Sequence, residues 1–410
     1  MVTSVITLDN GLKIYAKKAP LHSVAIAVGV GYGSLNEFEH PETSGSAHFL
    51  EHMLFKGTKN RTYRQIRDEA RNGAVYQNAF TDYDNITYIT LSPKYSFDVP
   101  VSLLSDMIQN SILPETELEK ERGAIIGEVM SYNDDPDRIL AQRIMGALFE
   151  NQPPSLPTAG TLESVKKITR ERLLDVYNRS NTPDNVAVIA YGDLDKACLK
   201  KLTAAFGDFE GKANFKSTEI HITKPKIKEI VLERKEITQA SVYMAFSAPG
   251  DNTQNRYGRE VSSALSCLQD ILSRRLNDTV REENGLVYEI WARSDTNADF
   301  SVFNMHFRCN PPDSEKIRGL ALKELQKIRD GEITNAELLT SKRSLLWNSK
   351  TLLDKPFYNA CALASYLITR GNLPSLKPLH AIRLEDVTDA ADRYLNASNM
   401  VYAAMIPKKK

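Results

Sequence analysis

The residues best suited to chemistry in this 410-residue chain are two histidines and a glutamate within five positions, His48-Phe49-Leu50-Glu51-His52. On a helix His48 and His52 stand one turn apart, so their imidazole nitrogens can reach a single zinc ion at about 2.0–2.1 Å. Glu51 lies beside them, placed to act on a water held there without binding the metal itself. The chain has only seven histidines, and an H-x-x-E-H string arises by chance in such a composition on the order of one time in a hundred. A catalytic zinc usually takes a third protein ligand. Glu121 and Glu128, seven apart on one face of an expected helix over 115–129, offer it. The apolar run Ala124-Ile125-Ile126 reads as a largely buried segment, where an unpaired Glu128 carboxylate would be costly and a metal is its natural partner.

These residues need elements to hold them. A helix over 45–56 is expected, with Thr43 or Ser44 as its starting cap, Gly57 as a left-handed stop, and Ala47, Leu50 and Leu54 as its apolar stripe. Short β-branched strands are expected at 4–8, 12–17, 24–30, 74–80, 87–91 and 186–191, with helices at 63–71, 97–110, 135–149, 170–178 and 194–206. The second half repeats this order loosely. Val242–Ser247 matches Val24–Gly29 at an offset of 218, and Tyr394 and Asn399 echo Tyr177 and Asn185 at offsets of 217 and 214. Strands mixed with helices, without strict alternation, indicate an α+β chain of two related domains, each a mainly antiparallel sheet packed with helices. Their expected bounds are 1–212 and 229–410, joined by a Lys-rich linker over 213–228.

Composition narrows the function from the other side. The 52 basic and 52 acidic residues cancel, which argues against a dedicated nucleic-acid or anionic-membrane binder. No stretch approaches 18 consecutive apolar residues, so no membrane span is expected. The N-terminus reads as a strand rather than a signal or transit peptide. Cys198, Cys267, Cys309 and Cys361 are scattered without a CxxC pair and read as thiols of a reducing compartment, so a cytoplasmic location is expected.

The run from His48 to Thr58, with Glu128 standing 76 residues beyond His52, resembles the inverted zincins, the pitrilysin, insulinase and mitochondrial processing peptidase family. The resemblance implies that His48, His52 and Glu128 are ligands to one zinc ion per chain. It also implies that Glu51 is the general base, and that Glu121 supports the site without touching the ion. Asn78-Ala79-Phe80-Thr81 resembles the family's strand beside bound substrate, which implies Asn78, Ala79 and Phe80 as substrate contacts. Arg281 and Tyr288 match an R-x6-Y arrangement that implies contact with substrate and the reaction centre from the second half. Locally, Tyr288 reads as a core or sheet-face aromatic on a strand beginning near Leu286, after an Asn284-Gly285 turn. One departure stands out: Leu268–Leu276 has no glycine where many half-length relatives carry a run of them, and it reads as an ordinary helix continuing toward Arg281. His22 and His306 have no carboxylate at ligand spacing and read as structural.

Half-length members of this family pair to close the clamshell chamber that long members build from four domains. The resemblance therefore implies a zinc endopeptidase acting on extended peptides within a homodimer, a heterodimer being possible, with Arg281 and Tyr288 completing the partner's site. The competing reading is a non-catalytic or partner subunit of a processing-peptidase-like complex.

Overall fold

The computed structural model describes residues 3–215, 219–252 and 256–408. Residues 216–218 of the expected linker lie outside the described residues. Two mixed sheets carry the fold. The first orders its strands β1-β2-β6-β3-β5-β4, with β1 Thr3–Thr7, β2 Lys13–Lys18, β3 Ser23–Val30, β4 Tyr76–Thr81, β5 Ile86–Pro93 and β6 Val186–Gly192. The second orders β7-β11-β8-β10-β9, with β7 Glu229–Arg234, β8 Ala240–Pro249, β9 Ile290–Thr296, β10 Phe300–Cys309 and β11 Met400–Pro407. Among the described residues only β2 with β6 and β7 with β11 pair in parallel. The second sheet thus repeats the first without β1, which is the two-copy plan of the sequence seen as topology. Among the described residues no helix is long and apolar enough to cross a membrane.

Contacts among the described residues divide the chain into two units. One comprises Met1–Met130, Leu156–Thr218 and Lys350–Pro374, and the other Ser131–Ser155, Glu219–Ser349 and Ser375–Lys410. Each half of the chain therefore lends a helix to the unit built mainly by the other half.

In the first unit the reason is written in β3, whose Val24–Val30 stretch is buried on both faces. Val24, Ile26, Val28 and Val30 join the core formed with the helices Ser46–Leu54, Asp98–Asn110, Arg170–Ser180 and Lys196–Gly207. The alternate residues Ala25 and Ala27 face a second cluster with Ala360, Ala364 and Leu367 of the helix Pro356–Arg370. Small residues on both sides let that helix lie close. A Cβ built on Gly29 would stand 3.0 Å from the Ala364 carbonyl oxygen, a tight contact against backbone that has little room to give. The long apolar run is thus a strand covered twice, as central strands are.

In the second unit Val242, Met244, Phe246 and Ala248 of β8 face the main core. The helix Pro136–Leu148, from the first half of the chain, packs on β8 and β11. Asp137 in its first turn accepts a hydrogen bond from Ser241 Oγ at 2.5 Å, lies 3.5 Å from His306 Nε2 and pairs with Arg308. His306, its ring tilted against Tyr243 with centroids 4.2 Å apart, therefore does have a carboxylate partner. Sequence spacing concealed it because the two residues lie 169 positions apart. Its role as a packed structural histidine stands.

Candidate metal centre

The helix carrying the histidines runs Ser46–Leu54 and is buried along nearly its whole length. Phe49, Leu50, Met53 and Leu54 are fully buried, and each such side chain contributes about 1.5–3 kcal/mol of burial energy. That anchors the helix and leaves His48, Glu51 and His52 as its polar face. The expected caps differ. Neither Thr43 nor Ser44 caps the helix; the N-cap is Gly45 at φ +92°, and a Cβ there would stand 2.7 Å from the Ala159 carbonyl oxygen. The helix closes at Phe55 in the right-handed region, and Gly57, at φ +152°, lies beyond the stop in an extended turn only glycine adopts readily.

The free N–H groups at the helix start are met instead by a distant side chain. Fully buried Glu37 accepts from Gly45 N at 2.7 Å through Oε2 and from Ala47 N at 2.6 Å through Oε1. Burial pushes the Glu37 carboxyl up to about 7, with those two N–H bonds pulling the other way. The native protein then holds a proton that an unfolded chain, with an ordinary carboxyl near 4.5, has released. Stability from this group is complete below that ordinary value and is lost as the pH rises through about 7. Glu37→Gln removes the titration. Relative to that variant, the wild type is expected to lose roughly 3 kcal/mol of stability between about pH 4.5 and pH 8. Urea unfolding at the two pH values measures the difference, and parallel pH slopes would contradict it.

Three side chains converge on the polar face of the helix. His48 Nε2 and His52 Nε2 lie 3.7 and 3.6 Å from Glu128 Oε2, and one ligand atom from each of the three residues falls within 4.8 Å of the others. Donors arranged tetrahedrally around an ion at about 2.0–2.1 Å stand roughly 3.4 Å apart. Two imidazole nitrogens and a carboxylate at these separations fit one divalent ion with little movement. Burial, then the neighbouring His52, pushes His48 down to about 4 against the pull of Glu128, so near neutral pH its ring is uncharged and able to donate a lone pair.

Glu128 sits on the helix Glu115–Asp134, whose buried residues are Leu118, Ile125 and Val129. Ala124 and Gly127 are exposed, so the segment is not the buried one expected from the apolar run. The Glu128 side chain keeps 32% of its exposure and points to the histidines from a half-open position. One face of the helix is buried, and the carboxylate stands at its margin.

Behind the cluster, Glu121 Oε2 lies 3.2 Å from His52 Nδ1, while its Oε1 lies 2.5 Å from Lys56 Nζ. A carboxylate at Nδ1 holds the proton there and leaves Nε2 free for a metal. Lys56, whose ammonium also sits 4.6 Å over the Tyr63 ring, pairs with that carboxylate where only 13% of the Glu121 side chain is exposed.

Glu51 stands beside the histidines and accepts a hydrogen bond from Thr81 Oγ1 at 2.7 Å. Burial raises its proton affinity, and the Thr81 bond opposes that shift. Thr81 closes β4, the edge strand of the first sheet. It went unassigned in the sequence, although the period-2 alternation of Gln77, Ala79 and Thr81 toward the core face could have singled it out. On the other face Tyr76 and Phe80 pack edge-on against Phe357 at 5.6 and 6.1 Å. The Asn78 side-chain oxygen accepts from Ala79 N at 2.9 Å.

Arg281 and Tyr288 belong to the second unit. The helix Arg256–Leu276 continues, as expected, through a π-helical turn at Asn277–Glu282 that carries Arg281. The strand expected from Leu286 begins only at Ile290, because Leu286 N closes the helix end on Val280 O instead of entering a ladder. Tyr288 is consequently no core aromatic: it is 86% exposed, with the Arg281 guanidinium 5.6 Å over its ring.

Comparison with known proteins agrees with this arrangement. Residues 13–162 match the profile described as insulinase, peptidase family M16, and residues 167–345 match the peptidase M16 inactive domain. A protein of Mycobacterium tuberculosis named an uncharacterized zinc protease is 30% identical over 346 residues, covering 83% of this chain and 77% of the relative. The Bacillus subtilis protein named uncharacterized zinc protease YmxG is 28% identical over 341 residues, covering 83% and 81%. The crystal structure of a protease from Helicobacter pylori superposes with a TM-score of 0.88 at 20% identity, covering 98% of this chain and 99% of that one. With both halves matched and the H-x-x-E-H helix in place, the chain belongs to the insulinase family, peptidase family M16.

Proposed function

We propose that this chain is a zinc-dependent endopeptidase that cleaves extended peptides or unfolded segments. The observation that carries it is the convergence of His48, His52 and Glu128 with a buried, hydrogen-bonded Glu51 beside them. Zinc, when bound, supplies a Lewis acid that polarises a peptide carbonyl and acidifies water. Glu51 takes the proton of the attacking water and hands it to the leaving amine, a transfer that its raised proton affinity favours. Thr81 keeps the carboxylate turned toward the reaction. Glu121 fixes the His52 tautomer. Asn78, Ala79 and Phe80, on the unpaired edge of the first sheet, receive substrate as an added strand, so backbone pairing supplies affinity and a few pockets supply preference. The test is hydrolysis of an unstructured fluorogenic peptide by zinc-loaded protein. Activity is expected to vanish on chelation and return with zinc; a zinc-loaded protein inert on a panel of such peptides would leave the partner-subunit reading in its place.

The proposal extends to assembly. We read residues 1–212 as the zinc-binding domain and 229–410 as the domain contributing Arg281 and Tyr288, across the 213–228 linker. Two such chains would close one chamber as a homodimer, in a cytoplasmic setting consistent with four free thiols. Arg281 and Tyr288 of one subunit would then contact substrate at the zinc site of the other. Mixing Glu51→Gln with Arg281→Ala subunits, each inactive alone, is expected to recover about a quarter to a half of the activity through one intact composite site. Silence in mixtures whose hybrid dimers are verified by native mass spectrometry would remove the exchange.

A further inference from the structure

We propose that a cationic groove next to the metal centre is a subsite for an acidic stretch of the peptide substrate. This rests on the endopeptidase reading above and adds a substrate class to it. The groove, of about 790 Å³, lies between residues 56–65, a turn running into the first residues of the helix Tyr63–Asn72, and the start of the helix Glu115–Asp134. Its wall carries five cations, Lys56, Lys59, Arg61, Arg64 and Lys120, against two carboxylates, Glu117 and Glu121. In a chain whose 52 basic and 52 acidic residues cancel, that is a local excess.

Three of the cations are already engaged. Lys56 pairs with Glu121 at 2.5 Å, Lys120 with Glu117 at 2.7 Å, and Arg61 with Asp106 at 2.8 Å and Glu69 at 3.0 Å. Lys59 and Arg64 are exposed and have no carboxylate partner among the described residues. Two cations left over at one groove are a receptor for anions, and the helix beginning after Thr62 turns its positive end to the same place.

Position and lining favour a peptide as the source of the anion. Glu121 bounds the groove with the carboxylate whose other oxygen meets His52, so the groove adjoins the ligand cluster. Between the charges run Ile112, Pro114 and the Tyr63 ring, apolar surface that suits the stems of Glu and Asp residues but offers nothing to a small inorganic ion. An acidic segment a few residues from the scissile bond would meet Lys59 and Arg64 while its backbone lies along β4.

The experiment is a substitution scan. A neutral fluorogenic peptide is compared with versions in which a Glu-Glu pair is moved one position at a time away from the cleavage point, on each side. At one register kcat/KM is expected to rise about tenfold over the neutral parent at low salt, and to fall back toward it near about 0.5 M NaCl. The double variant Lys59→Glu/Arg64→Glu should erase that gain and leave the neutral peptide within about twofold of wild type. A gain at no register, or one that survives the double variant, overturns the groove. Binding of a labelled acidic peptide to zinc-loaded Glu51→Gln, read by fluorescence anisotropy, separates the two ideas. Binding that depends on Lys59 and Arg64 without any hydrolysis by wild type would keep the groove and sink the endopeptidase; hydrolysis of the neutral peptide with no acidic gain would do the reverse. Inorganic phosphate that binds at millimolar concentration through Lys59 and Arg64, with no acidic gain, would assign the groove to a free anion and overturn the peptide.

Discussion

Exchanging Glu51 for Gln is expected to lower kcat/KM for peptide hydrolysis by about 10²–10⁴-fold while one zinc per chain stays bound. Gln has nearly the shape of Glu, and its amide oxygen can still accept the Thr81 hydroxyl that now lies 2.7 Å from the carboxylate. What it lacks is the ability to take a proton. The loss should therefore fall on kcat, with little change in KM, since no contact to bound peptide is removed. Metal analysis and steady-state kinetics on the same preparation decide it. A residual rate within tenfold of wild type would take the base away from Glu51, and a loss of zinc would make it a ligand.

The second large effect concerns metal retention, and it should be graded. Glu128→Gln removes the one anionic donor of the cluster and is expected to leave close to no zinc after dialysis against a weak chelator. Glu121→Gln keeps all three donors but loses the carboxylate 3.2 Å from His52 Nδ1, and should weaken zinc affinity by about 10–100-fold. Lys56→Met should reproduce part of that loss, since it leaves the Glu121 carboxylate mostly buried without its 2.5 Å partner. Competition with a chromophoric chelator ranks the three. Equal affinities for Glu121→Gln and wild type would reduce Glu121 to packing, and full zinc in Glu128→Gln would remove the third ligand.

The parts of this site that were legible in the sequence are those whose geometry is local. His48, Glu51 and His52 share one helical turn, so spacing alone set them on a common face. Glu128 needed the resemblance as well as the pattern, and its burial was misjudged because three apolar residues in a row cannot all face one side of a helix. Ile125 went in and Ala124 stayed out. Glu37 and the Glu121–Lys56 pair were illegible as partners. Each acts through a side-chain contact made by tertiary packing, and no periodicity encodes which distant carboxylate caps which helix. Tyr288 failed for a related reason. Strand propensity from Leu286 onward was real, but the helix end claimed the backbone N–H that the ladder needed. At the level of the fold, the β-branched run of 24–30 marked β3 as a strand, yet nothing in it told of a second buried face or named Pro356–Arg370 as its cover.

That late cover bears on how the chain is made. The last strand of the first sheet ends at Gly192, and the helix that closes its second face begins at Pro356. At about 5–20 residues per second, a ribosome needs roughly 10–30 s to cross that interval. During it the face bearing Tyr15, Ala25, Ala27, Ile89 and Ile189 has no covering helix. A nascent chain in that condition is a client for holding chaperones, and release of a chain cut before Pro356 would leave the same apolar face open to aggregation.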